Sequence, residues 1–102
     1  MIKVKPGVRF SHKTFMYPEM WRIVFQAQLL APNGYEVTIT SGCEGNHSDR
    51  SKHLTGKAID FRIRDFPIEN RITSWVTRIQ NRLGDEYAVL LEADHIHIQW
   101  NG

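Results

Sequence analysis

Apolar and polar positions recur along this chain with two different periods, and the switches between them mark out its elements. From Pro18 onward, Trp21, Val24, Phe25, Gln28 and Leu29 follow i, i+3, i+4 spacing, the period of a helix with one face turned inward. Pro18 suits a first helical turn and Glu19 its positive end. The spacing therefore predicts a helix over residues 18–31, ended by Asn33-Gly34. The period then drops to two: Tyr35, Val37 and Ile39 alternate with polar residues and predict a strand over 35–40. Residues 58–63 alternate again, with Ile59, Phe61 and Ile63 on the core side and Ala58, Asp60 and Arg62 on the other. Pro67 is expected to open a second helix, whose stripe of Ile68, Ile72, Trp75, Val76, Ile79 and Leu83 stops at Gly84. Two more strands follow over 87–92 and 95–100, joined by a short turn that favours antiparallel pairing. The expected fold is a small α+β domain, an antiparallel sheet with helices packed on one face.

Two stretches do not read as core. Residues 41–56 are rich in Ser, Gly, Asn, Asp and His, and this loop is far longer than the usual connection of about 4–6 residues, a length often tied to function. In the last strand Ile96, Ile98 and Trp100 share one face, so His95, His97 and Gln99 project from the other.

Composition narrows the partners. At 102 residues, 41% hydrophobic and 24% charged, the chain has the size and make-up of one globular domain, 1–102. Thirteen Lys and Arg against eleven Asp and Glu leave a net charge of +2, which with no basic stripe argues against nucleic-acid binding. Cys43 is the single cysteine, so no intramolecular disulfide can form. The N-terminal residues lack the apolar stretch of a secretory signal, and the longest apolar run, residues 87–91, is far below the roughly 20 residues of a membrane span. The expectation is a soluble monomer, cytoplasmic at synthesis, that does not insert into membranes.

The chemistry-bearing residues are His53 and Asp60, spaced seven apart, and the later pair Asp94 and His97. Two imidazoles and a carboxylate are a recurrent ligand set for catalytic zinc, with the fourth position left open. His95 is a rival ligand on the same strand face as His97; Cys43, His47 and His12 read as a buried thiol and surface residues. Asp94, in a regular strand, would face away from His97, so a turn or bulge must redirect it.

The run Ser51-Lys-His53-Leu-Thr-Gly56-Lys-Ala58-Ile-Asp60 resembles the Ser-x-His-x-x-Gly-x-Ala-x-Asp motif of the zinc D-alanyl-D-alanine carboxypeptidases, vancomycin-resistance dipeptidases and phage L-alanyl-D-glutamate endopeptidases, a family related to the hedgehog signalling domain. Asp94-His95-Ile96-His97 is similar to the family's later acid-x-x-His element. The resemblance covers roughly residues 15–100. It implies a hedgehog-like peptidase fold, Zn2+ held by His53, Asp60 and His97, and Asp94 as general base. Ser51 matches the family serine and is implied as a supporting residue; His95, from its own place on the strand face, is expected to orient a substrate or a transition-state oxyanion when His97 is the ligand. The implied substrate is a peptidoglycan stem peptide, cut next to a D-amino acid by an endolysin-like enzyme that reaches the wall through a holin or in a virion. The alternative is a catalytically silent zinc domain that binds cell wall or a protein partner. One departure stands out: Ser41-Gly42-Cys43-Glu44 replaces the family's Ser-Gly-x-Arg, leaving Arg9, Arg50, Lys52 or Arg62 to supply the cation.

Overall fold

The computed structural model describes residues 2–43, 52, 53, 55–67 and 70–102. Five strands form one sheet in the order β1-β2-β3-β5-β4, where β1 is Lys3–Val4, β2 Thr38–Ser41, β3 Ala58–Arg62, β4 Tyr87–Leu91 and β5 His95–Trp100. β1 runs parallel to β2 and every other pairing is antiparallel. Two helices, α1 over Pro18–Leu29 and α2 over Ile72–Leu83, complete the α+β architecture.

The core lies between the helices and one face of the sheet. Ile59, Phe61, Ile96 and Ile98 are wholly buried on that face, and they pair as Ile59 with Ile98 and Phe61 with Ile96. Met20, Ile23, Val24 and Ala27 of α1 and Trp75, Ile79 and Leu83 of α2 close over them. The Trp75 indole N–H donates to the Ala27 carbonyl at 3.1 Å, so the two helices are tied by a satisfied polar group as well as by apolar contact.

α1 turns a different face inward from the one its spacing suggested. Trp21, Phe25 and Leu29 are 43%, 59% and 66% exposed, while Met20, Ile23 and Ala27 are fully buried. The helix carries two apolar stripes one position apart, and the sheet takes the stripe of smaller and more flexible side chains, which packs closer to the strands. Gln28 is a polar clamp: its side-chain amide donates to the Tyr35 carbonyl at 2.7 Å and accepts from the Val37 N–H at 3.0 Å. Those bonds take up the Tyr35 carbonyl and the Val37 N–H, and β2 begins at Thr38, three residues later than predicted.

The second helix also starts late. Pro67 sits in a turn whose carbonyl accepts from the Asn70 N–H at 3.0 Å, and α2 begins at Ile72. Ile68 of the expected stripe lies outside the described residues. β1 has no counterpart in the predicted elements; two residues are too few to show a period.

Candidate metal centre

The opposite face of the same sheet carries the polar residues. Strand alternation puts Ala58, Asp60 and Arg62 of β3 on that face, opposite Gln99, His97 and His95 of β5. Asp60 therefore meets His97 across one ladder step, as the alternation of each strand allowed.

His53 reaches them from a tight turn ahead of β3. The Gly56 N–H donates to the His53 carbonyl at 3.1 Å and the Lys57 N–H to that of Lys52 at 2.8 Å. Gly56 has φ +78, and a Cβ there would meet Thr14 Oγ1 at 2.9 Å, so both conformation and space call for glycine. Across the site, the β2–β3 register slips between Ile39 and Ser41, and just beyond this irregularity the Gly42 carbonyl meets the Nδ1 edge of His53. A side chain at Gly42 would run into the Arg9 carbonyl.

Three atoms converge. His53 Nε2 lies 3.1 Å from Asp60 Oδ1 and 3.1 Å from His97 Nδ1, and His97 Nδ1 lies 3.0 Å from Asp60 Oδ1. Tetrahedral zinc with bonds near 2.0–2.1 Å spaces its ligand atoms about 3.3 Å apart, so the nearly equilateral triangle needs only slight expansion.

The outward nitrogens are engaged as well. His53 Nδ1–H donates to the Gly42 carbonyl at 2.6 Å, which leaves Nε2 with a lone pair directed inward. His97 Nε2–H donates to Gln99 Oε1 at 2.8 Å, and Gln99 in turn donates its amide to Asn101 Oδ1 at 2.6 Å, fixing which end of the amide faces the imidazole. With these tautomers, two imidazole lone pairs and a carboxylate oxygen crowd one point, an arrangement that a cation satisfies and that outer hydrogen bonds commonly impose on metal ligands. The sequence placed Gln99 on the polar face but assigned it no role, and it did not single out the Gly42 carbonyl; both hold a histidine ring of the group. The two-residue spacing of Gln99 from His97 on one strand face was the available signal; a backbone carbonyl leaves none.

Electrostatics agree with the geometry. In the metal-free chain a proton on the inward nitrogens takes the cation's place: burial opposes the charged form of Asp60, yet hydrogen bonds donated by His53 and His97 outweigh it and hold the carboxyl well below the ordinary range. By accepting that bond the Asp60 carboxylate raises the pKa of His97 despite its partial burial.

His95 and Asp94 stand beside the triangle rather than in it. His95 Nε2 is 3.6 Å from the other Asp60 oxygen, Oδ2, and His95 Nδ1–H donates to Asp94 Oδ1 at 2.6 Å. Asp94 occupies the bend before β5 with its carboxylate turned to His95; it is exposed, and its bond to His95 lowers its pKa. Both residues line a cleft of about 380 Å³ that also touches Asp60. Of the cations considered for the missing family arginine, Arg62 lines this cleft, joined by Lys5 and Arg64; Arg9 and Lys52 do not line it. Ser51, Glu44, His47 and Arg50 lie outside the described residues. Cys43 is half-buried and is not among the converging side chains, and His12 is exposed. Among the described residues, His53, Asp60 and His97 are the group able to hold a metal ion, and no helix is long and apolar enough to cross a membrane. Comparison of the chain with protein-family models, curated proteins and solved structures found no match.

Proposed function

We propose that this protein is a zinc-dependent peptidase that hydrolyses a peptide bond next to a D-amino acid in peptidoglycan stem peptides. The observation that carries the reading is the triangle of His53 Nε2, Asp60 Oδ1 and His97 Nδ1, with both imidazole tautomers set from outside by Gly42 and Gln99. Two nitrogen donors and one carboxylate favour zinc over calcium or magnesium, which prefer oxygen alone. The substrate class rests on the resemblance of residues 51–60 and 94–97 to the carboxypeptidase and endopeptidase motifs.

Zinc held by these residues supplies a Lewis acid and a water acidic enough to ionise near neutral pH. The chain's own contribution is positional. Asp60 and the two histidines fix the centre, Asp60 also lines the open cleft beside it, and Asp94 offers an ionised carboxylate on the cleft wall that takes a proton at Oδ and returns it to the leaving amine. His95, between Asp94 and Asp60, orients that carboxylate.

One observation favours the catalytically silent zinc domain instead: an acid, Glu44, stands in the motif position of the arginine. Two measurements decide. Protein purified without added metal or chelator is expected to carry one zinc per chain, and purified peptidoglycan is expected to release stem-peptide fragments identifiable by mass spectrometry. Absence of zinc, with no uptake on addition, overturns the site; zinc without fragments leaves the silent domain.

A further inference from the structure

The cleft beside the triangle has a charged wall that metal binding does not use. Lys5, Arg62 and Arg64 line it together with Asp94, His95 and Asp60. The acids are already engaged, Asp60 with the histidines and Asp94 with His95. None of the three cations forms an ion pair with a described residue. Three cations face two carboxylates, each already hydrogen-bonded to histidine, so positive charge is in excess among the described residues that line the cleft.

Their placement follows from the fold. Arg62 is two residues beyond Asp60 on the same strand face and pairs with His95 across the ladder, so its Cα stands about 7 Å from that of Asp60. Arg64 follows in the turn after β3, and Lys5 is brought to the same corner because its N–H donates to the Ile39 carbonyl at 2.9 Å, extending the parallel pairing of β1 with β2. Consecutive Cα atoms of a bound peptide lie about 3.8 Å apart. An arginine side chain rooted about 7 Å from Asp60 thus reaches a group one residue past a carbonyl held at the centre. Arginine's planar fork matches a carboxylate in bidentate fashion.

We infer that Lys5, Arg62 and Arg64 form a carboxylate-binding subsite, which takes the free α-carboxylate of the residue on the leaving side of the cleaved bond. The inference rests on the peptidase reading for the words "leaving side", but the subsite itself requires only an anionic peptide end. It replaces the absent motif arginine by cations from β1, β3 and the turn after β3, and it selects peptides in which the departing residue keeps its carboxylate unamidated.

Binding separates the subsite from the reaction. N-acetyl-D-alanyl-D-alanine, the same dipeptide as its C-terminal amide, and inorganic phosphate are titrated separately into the full chain, with zinc and with chelator, while backbone amide NMR shifts of β3 are followed. The acid is expected to bind at least tenfold more tightly than the amide and than phosphate in both states, and Arg62→Gln and Arg64→Gln are each expected to weaken the acid at least fivefold. Arg78→Gln, on α2 and away from the cleft, is the control. Equal binding of acid and amide by the unaltered chain overturns the subsite without any variant having to fold, and phosphate binding as tight as the acid overturns its carboxylate character. Acid selectivity in a protein that never cuts peptidoglycan sustains the subsite and removes the peptidase; cleavage without acid selectivity does the reverse.

Discussion

The two faces of the central sheet are built from the same two strands and do opposite things. On the inner face Ile59, Phe61, Ile96 and Ile98 are fully buried against α1 and α2. One residue along, on the outer face, Asp60, Arg62, His95, His97 and Gln99 form the candidate centre and its wall. A register that buries the four apolar side chains must, by the two-residue period, put Asp60 opposite His95, His97 or Gln99, and the pairing of Ile59 with Ile98 and Phe61 with Ile96 makes that partner His97. Hydrophobic packing is therefore what sets the spacing of the ligands on the far side. The outer face holds its buried polar side chains, His53 and Asp60, by hydrogen bonds where the inner face uses apolar contact.

The largest expected effect lies on the inner face. Phe61→Ala removes a wholly buried aromatic next to Asp60 and should cost about 3–5 kcal/mol in urea unfolding, with zinc binding weakened because the ladder loosens. If zinc affinity survives that loss unchanged, the two faces are independent and the coupling argued above is wrong.

Next comes the chemistry of the outer face. Asp94→Asn keeps the shape of an exposed turn residue and removes its charge, so stability and zinc content should stay as they are while turnover falls on the order of 10²–10⁴. Loss of zinc in that variant would instead make Asp94 a ligand and reopen the role of His95.

The faces were unequally legible in the sequence, for physical reasons. Alternation in 58–63 and 95–100 assigned each residue of β3 and β5 to its face, because a strand's period is fixed by its backbone. That is why His53, Asp60 and His97 could be singled out together, His53 through its motif and the other two through shared sidedness. α1 was read with the wrong stripe: its residues include Met20, Ile23 and Ala27 as well as Trp21, Phe25 and Leu29, and only the shape of the sheet decides between two apolar faces of one helix. Lys5 and the Gly42 carbonyl were invisible to pattern. One reaches the cleft through a two-residue parallel strand, and the other acts through its backbone.

A smaller effect is expected at Gln99, which touches the centre only through His97. Gln99→Ala removes the acceptor that holds His97 Nε2–H outward, and zinc affinity should fall about 10- to 100-fold with the fold intact. Gln99→Glu, which keeps an acceptor there, should restore most of it. Equal loss in both variants would mean that packing, and not the tautomer, is what Gln99 provides.

The smallest effect separates the faces by pH in metal-free protein. Asp60 has a lowered pKa in the folded state, so its contribution is present above its unfolded value and is lost as pH falls through the folded one. His97 has a raised pKa, so its contribution is fully present below its unfolded value and is lost as pH rises through the folded one. Together they stabilise the outer face most between about pH 4 and 6.5, the ordinary carboxylate and imidazole values. In that window the melting temperature of the metal-free chain should exceed that of metal-free His97→Gln by its largest margin, and the margin should shrink toward pH 9. With zinc added, the unaltered chain should keep its margin at high pH, because the ion takes the place of the proton shared by Asp60 and His97. A margin that does not change with pH in the metal-free pair would show that His97 contributes by packing alone, and that the outer face resembles the inner one more than its charges suggest.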